Sequence, residues 1–271
     1  MKKILLLFLV SFVALSSFSQ NTSKYTELQK FSYLLIGITN GVPTTESTAF
    51  FLKKNNKIYL VSAYHSFSSW DGYNGKKMLP INDTIRIRIV DKKTKNIVFM
   101  PFNVKKIVDG STHIFYYRTP DVYMLELSNP KELTLYDINI IDDDKLVYDK
   151  RNGIPNRVIF YGFNNGILKI KHIGDFKTVK SILSTGKMIG NMNQKRQIFD
   201  LQSRSIFIDS LNYKTTNKGA EGDSGSPVFF EYLNKKTGKA FFTFGGIVSV
   251  GDAPSGTLLM VKPTQVMPPL K

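Results

Sequence analysis

The chain has 271 residues, 37 Lys and Arg against 21 Asp and Glu for a formal net charge of +16, and no cysteine. Without cysteine, disulfides, thiolate-ligated zinc and a cysteine nucleophile are excluded, so the fold must rest on an apolar core, which a chain of this length can bury. The positive charge draws polyanions nonspecifically, but the lysines are scattered in pairs such as Lys53-Lys54 and Lys235-Lys236 with no aromatic-interleaved stripe, so no specific nucleic-acid partner is expected.

Residues 1–19 read as a secretory leader: Lys2 and Lys3, an apolar run from Ile4 to Leu15, then Ser17 and Ser19 at minus three and minus one before Gln20. The apolar run is too short to cross a bilayer and no later stretch approaches the roughly 18 apolar residues needed, so a secreted or periplasmic chain with no membrane span is expected. Residues 20–30 read as a loosely held lead-in. Beyond them, short runs rich in Ile, Val, Tyr, Phe and Thr alternate with Asn, Asp, Gly, Pro and Lys clusters. This pattern predicts strands near 32–39, 48–54, 57–63, 84–90, 96–100, 121–127, 157–163, 167–173, 205–210, 227–232, 240–249 and 257–262. Arg86-Ile87-Arg88-Ile89 alternates as a strand with one wet face does. No segment keeps a helical period over three turns. Between Leu127 and Val158 the composition changes, with Asn129-Pro130, Asp142-Asp143-Asp144 and Asn152-Gly153-Ile154-Pro155, which reads as a surface connection between two sets of strands. The expected fold is all-β: two six-stranded antiparallel β-barrels, the first within 20–150 and the second within 151–271.

Gly222-Asp223-Ser224-Gly225-Ser226-Pro227, followed by Val228-Phe229-Phe230, reads as a tight turn feeding a strand. Glycines there allow backbone angles closed to other residues and let a ligand approach the peptide N–H groups, as a nucleophile beside an oxyanion hole requires. The same residues make ordinary surface turns, so the weight falls on what else the chain supplies. Of three histidines, His65 ends a strong strand, Lys57 to Tyr64, and opens a loop. His113 lies in a polar turn and His172 ends a strand, neither in a comparable setting. For a carboxylate, Asp121 opens the apolar run Val122-Tyr123-Met124-Leu125, where a barrel rim can hold it against an imidazole N–H. Asp71, Asp91 and Asp109 are loop or turn residues by their neighbours.

Taken together, these stretches resemble the chymotrypsin-like serine peptidases, in particular the disulfide-free bacterial branch that includes the glutamyl endopeptidases. Ser62-Ala63-Tyr64-His65 is similar to that family's Thr-Ala-Ala-His, Asp121-Val122-Tyr123-Met124-Leu125 to its Asp-Ile-Ala-Leu-Leu, the Ser224 turn to its Gly-Asp-Ser-Gly-Gly-Pro, and Gly246-Ile247-Val248-Ser249-Val250-Gly251 to its Gly-Ile-Val-Ser-Trp-Gly. The order His, Asp, Ser, with spacings of 56 (121 minus 65) and 103 (224 minus 121), is the chymotrypsin order. The resemblance implies an endopeptidase in which Ser224 attacks the carbonyl, His65 moves its proton, Asp121 orients the ring, and the N–H groups of Gly222 and Ser224 form the oxyanion hole, with no metal or cofactor. It also implies a substrate pocket with Lys218 at its base and Ser249, Val250, Gly251 and Gly256 on its walls, and a protein or peptide substrate.

The chain departs from the family at Tyr64, where a small residue is usual, and at Val250, where an aromatic is usual. Val248 stands where glutamyl endopeptidases have a histidine. No Ile-Val-Gly-Gly-like start precedes Tyr33, so an activation step by a freed N-terminus is not expected, and Asp223 is expected to find a local donor. A catalytically inactive peptidase-like protein that binds peptides or polyanions is the competing reading. A chaperone-protease with a peptide-binding PDZ domain is not expected, because the last predicted strand lies just before Lys271.

Overall fold

The computed structural model describes residues 24–66, 84–103, 120–127, 131–142, 146, 149–164, 173–192, 194, 196–200, 205–209, 212–252 and 257–266. The expected leader, residues 20–23, the strand expected near 167–173 (all but residue 173), His113, His172, Asp71, Asp109 and Gly256 lie outside them.

The protein is all-β, built on two sheets of mainly antiparallel strands, each with seven strands where six were expected and with no hydrogen-bonded closure among the described residues. In the first sheet β5 (Ile97–Asn103), β4 (Thr84–Val90), β1 (Tyr33–Thr39), β2 (Val42–Lys54), β3 (Lys57–Ser62) and β6 (Tyr123–Glu126) lie side by side in that order, and β7 (Ile140–Asp142) pairs parallel to β2. The second sheet runs β10 (Met188–Ile189), β13 (Asn212–Thr215), β16 (Thr257–Val261), β15 (Ala240–Asp252), β14 (Pro227–Leu233), β8 (Arg157–Gly162), β9 (Ile182–Gly186). A separate hairpin joins β11 (Arg196–Asp200) to β12 (Ser205–Asp209). The helix among the described residues is one short turn, α1 (Thr26–Gln29).

Strand alternation sorts the apolar residues into layers. On β2 and β3, Phe50, Leu52, Tyr59 and Val61 face one way, toward Ile159, Phe229, Phe244 and Ile247 of the second sheet. The intervening Phe51 and Leu60 face the other way, into the first sheet's own core with Ile85, Ile87 and Ile89. On β8 and β14 the same rule sends Ile159 and Phe229 to the shared layer, and Val158, Phe160, Val228 and Phe230 to a second core with Tyr213 and Met260. One apolar layer therefore binds the two sheets, and the rings of Phe50 and Phe244 meet in it at 5.6 Å between centroids.

β2 is the longest strand of the first sheet, and its two halves have different neighbours. Val42–Ala49 pairs with β1 and Phe50–Lys54 with β3, so the sheet turns a corner at residues 49–50. All of Ser47 to Leu52 is buried. The lead-in is tied down where it is described: Tyr25 and Leu28 are buried, and the Tyr25 hydroxyl donates to Glu231 Oε2 at 3.1 Å, beside an ion pair from Lys24 to the same carboxylate. The expected surface connection also contributes to the core, because β7 brings Ile141, fully buried, against β2.

Removing the Phe50 ring opens a cavity in the layer shared by both sheets. Phe50→Ala is expected to lower the unfolding free energy by about 3–5 kcal/mol, and Val42→Ala, at a site 50% exposed, by less than about 0.5 kcal/mol. Denaturant titration with a shared slope checks both.

Candidate active site

β3 ends at Ser62, and a single 3-10 turn, Tyr64–Ser66, carries His65 out of the sheet. Tyr64, in place of a small residue, is buried in the first sheet's core, its ring 5.8 Å from that of Tyr123. Asp121 lies two residues before β6, the antiparallel neighbour of β3, so hydrogen bonding between these strands sets the two side chains together. The His65 peptide N–H donates to Asp121 Oδ1 at 3.1 Å, and Nδ1 lies 2.7 Å from Asp121 Oδ2. With its Nδ1 proton on the carboxylate, the ring presents Nε2 as an acceptor 2.9 Å from Ser224 Oγ. The three side chains predicted from separate stretches thus form one hydrogen-bonded relay.

Ser224 is held by a turn that only glycine can build. Gly222 and Gly225 have φ of +98° and +82°. A Cβ on Gly222 would overlap the Phe163 carbonyl oxygen, and one on Gly225 would overlap Ser62 Oγ and the Thr48 carbonyl. β2 grips this turn from the first sheet. Thr48 N–H (2.9 Å) and Ser47 Oγ (2.7 Å) both donate to the Ser224 carbonyl, and Thr48 Oγ1 donates to the Gly222 carbonyl at 2.9 Å. The N–H groups of Gly222 and Ser224 have no protein acceptor among the described residues. Two free peptide donors beside a hydroxyl suit a developing oxyanion. Nothing in the local sequence marks Ser47 and Thr48 for this role. The one available signal was hydroxyl residues running directly into the buried stretch Ala49-Phe50-Phe51.

Two buried carboxylates flank the serine, with pKa values moved in opposite directions. For Asp121, burial raises the pKa, but the His65 ring, the Ser249 hydroxyl (2.7 Å) and the His65 N–H outweigh it, so the group stays below the usual carboxylate range. For His65, burial disfavours the charged ring, but Asp121 outweighs it and the pKa lies above 6.5. Asp223, 2% exposed, has its pKa raised by burial, partly offset by the Ala220 N–H (2.8 Å) and the Asn164 amide (3.3 Å) on Oδ2. Its local donors are therefore Ala220 and Asn164. Its Oδ1 is buried against Gly162 with no hydrogen-bond partner.

The residues expected to form the pocket are placed unequally. Ser249 sits where the pairing of β15 with β16 shifts register between Val248 and Val250, a bulge that takes it out of the ladder. Its hydroxyl donates to Asp121 Oδ2 and its carbonyl lies 3.1 Å from Ser224 Oγ, so the structure ties it to the relay. Val248 is buried in the second core. Val250 and Gly251 are strand residues of β15 opposite Leu259 and Leu258. Lys218 is exposed on the loop after β13, where its carbonyl accepts from Ser184 Oγ at 2.7 Å. Among the described residues no cluster of three or more His, Cys, Asp or Glu could hold a metal ion.

Because its folded pKa is raised, protonation of His65 favours folding. Its contribution to stability is present in full below about pH 6.5 and is lost as pH rises through the folded value, which is also where Nε2 becomes a competent acceptor. The His65 imidazole titration followed by NMR is expected to have its midpoint above 6.5, and Asp121→Asn to bring that midpoint down. An unchanged midpoint would remove the coupling.

No protein-family model matches the chain, and no curated protein does. Solved structures similar to it include the inactive form of Rv3671c from M. tuberculosis H37Rv, 11% identical over 89% of this chain and 85% of that one, with a TM-score of 0.45. The tobacco etch virus protease complexed with product is 12% identical over 88% and 75%, TM-score 0.43. The serine endoprotease from Yersinia pestis is 10% identical over 89% of this chain and 61% of that one, TM-score 0.43.

Proposed function

We propose that the chain is an exported serine endopeptidase. The observation that carries this reading is the relay Asp121–His65–Ser224 ending beside two unpaired peptide N–H groups. Each of these parts has a place in acyl transfer, and a binding cleft has no use for all of them. Ser224 Oγ attacks the scissile carbonyl carbon while His65 Nε2 takes the hydroxyl proton. The carbonyl oxygen becomes an oxyanion received by Gly222 N–H and Ser224 N–H, where one such donor contributes roughly 3–4 kcal/mol to the transition state. Collapse breaks the C–N bond, His65 passes the proton to the leaving amine, and a water repeats the sequence on the acyl-enzyme. Asp121 keeps the Nδ1 proton in place and offsets the positive charge on the ring.

The Ser224 hydroxyl has one proton and two acceptors in reach, His65 Nε2 at 2.9 Å and the Ser249 carbonyl at 3.1 Å. A substrate whose own N–H occupied the Ser249 carbonyl would leave the proton to His65. The local donors on Asp223 also fit a turn that is formed without an activating cleavage. Resemblance to the glutamyl endopeptidases, with Lys218 at the pocket base, supports a preference for acidic side chains.

Three measurements test the reading. Protein from the exported fraction, with Gln20 as its first residue, is expected to be labelled by a fluorophosphonate probe. Labelling is expected to disappear in Ser224→Ala and His65→Ala and to slow by about 10⁴-fold in Asp121→Asn. Its rate should rise with pH through a midpoint above 6.5. A folded, processed wild type that does not label leaves the inactive binding protein as the better reading. Cleavage profiling on a peptide mixture is expected to show Asp or Glu before the cut, reduced in Lys218→Gln. Equal profiles for the two proteins take Lys218 out of the pocket.

A further inference from the structure

A cavity of about 260 Å³ lies between the edge of the first sheet and the segments around β8 and Lys177, and neither Ser224, His65 nor Asp121 lines it. Its wall includes the Ser32 hydroxyl, 8% exposed and without a hydrogen-bond partner. A buried polar group left unpaired costs stability unless something fills its place. Arg88 also lines the cavity and is anchored by one nitrogen, with Nη1 donating to the Phe176 and Val179 carbonyls at 2.6 Å each. Its guanidinium lies 5.0 Å over the Phe163 ring, and Nε and Nη2 donate to nothing among the described residues. Lys177 brings a second cation with no ion pair among the described residues.

These groups favour a carboxylate. The same wall carries the Asp137 carboxylate, which accepts no hydrogen bond among the described residues and would repel a dianion such as phosphate while welcoming an N–H donor. The volume, below that of drug-sized pockets, suits a single residue. A carboxylate with an N–H on the neighbouring carbon is the C-terminal end of a peptide.

One lining residue, Phe163, packs on the Ser224 turn. Phe163, its aromatic wall, donates its N–H to Thr48 Oγ1 at 3.0 Å, the same hydroxyl that donates to the Gly222 carbonyl. The Phe163 carbonyl packs directly on the Gly222 α-carbon. We propose that this cavity is a second binding site that takes the carboxylate end of a peptide or an N-acyl amino acid, and that its occupancy reaches Gly222 through Phe163. Its meaning as product or effector control rests on the peptidase reading, whereas binding itself does not.

The test is an amide NMR titration of the full mature chain carrying Ser224→Ala, with N-acetylphenylalanine, its uncharged amide and inorganic phosphate as probes. The carboxylate is expected to give saturable shifts at Ser32, Phe163 and Gly222. The amide and phosphate should bind at least about fivefold more weakly, and Lys177→Gln should weaken the carboxylate by about fivefold. The proposal is overturned if Ser32 and Phe163 do not shift, if phosphate matches the carboxylate, or if Lys177→Gln has no effect. Shifts in the cavity with Gly222 unmoved would overturn its link to the turn. Since this protein lacks the Ser224 hydroxyl, binding here stands or falls separately from fluorophosphonate labelling of the wild type.

Discussion

The grip of β2 on the Ser224 turn is the constraint on which the site depends. His65 and Asp121 belong to the first sheet and Ser224 to the second, so their geometry is only as good as the registration of the two sheets. The apolar layer around Phe50 and Phe244 supplies affinity between the sheets but little direction, since apolar burial is nondirectional. Direction comes from three donors on consecutive residues, Ser47 and Thr48, pointed at the carbonyls of Ser224 and Gly222. The peptide N–H groups opposite those carbonyls are spent within the second sheet, Asp223 on the Ala220 carbonyl and Gly225 on the Val248 carbonyl, while those of Gly222 and Ser224 have no protein acceptor among the described residues. One set of contacts between the sheets thus fixes the turn that carries the Ser224 hydroxyl.

Asp121 and Asp223 show how differently burial acts on one chemical group. Asp121 receives three donors, two of them from His65, and its charge is what holds the ring. Asp223 receives only neutral donors, and one oxygen rests against the bare α-carbon of Gly162. Its part is to shape the loop through the Ala220 N–H and the Asn164 amide, and a neutral carboxyl can do that as well as a charged one. Desolvation without a cation raises the carboxyl pKa, whereas an attached imidazole outweighs desolvation and lowers it.

Much of this was legible in local patterns. The alternation in Arg86-Ile87-Arg88-Ile89 became β4 with its expected bounds, and the glycine-framed serine became a turn with two positive φ angles. Strands β9, β10, β11 and β13 were not foreseen because they are short and carry few large apolar residues, as in Ile182-Leu183-Ser184-Thr185-Gly186, so their pairing is decided by the neighbouring strand. β7 lies in a stretch of acids and turn formers, and only its parallel partner β2 gives Ile141 a buried face. In the site, residue types chosen for chemistry could be recognised one by one. The second role of Ser249 depends on a bulge, and the roles of Ser47 and Thr48 on partners about 175 residues away (224 minus 48 is 176), which no local window contains.

That separation has a consequence for when the chain can act. The contacts that orient Ser224 close a loop of most of the chain, and such long-range contacts form late because their closure entropy must be met before they gain anything. A chain still emerging from a ribosome holds His65 and Asp121 without the turn at residues 222–226. The hydrogen-bonded arrangement of the three side chains therefore forms only after the chain has been made as far as residue 226.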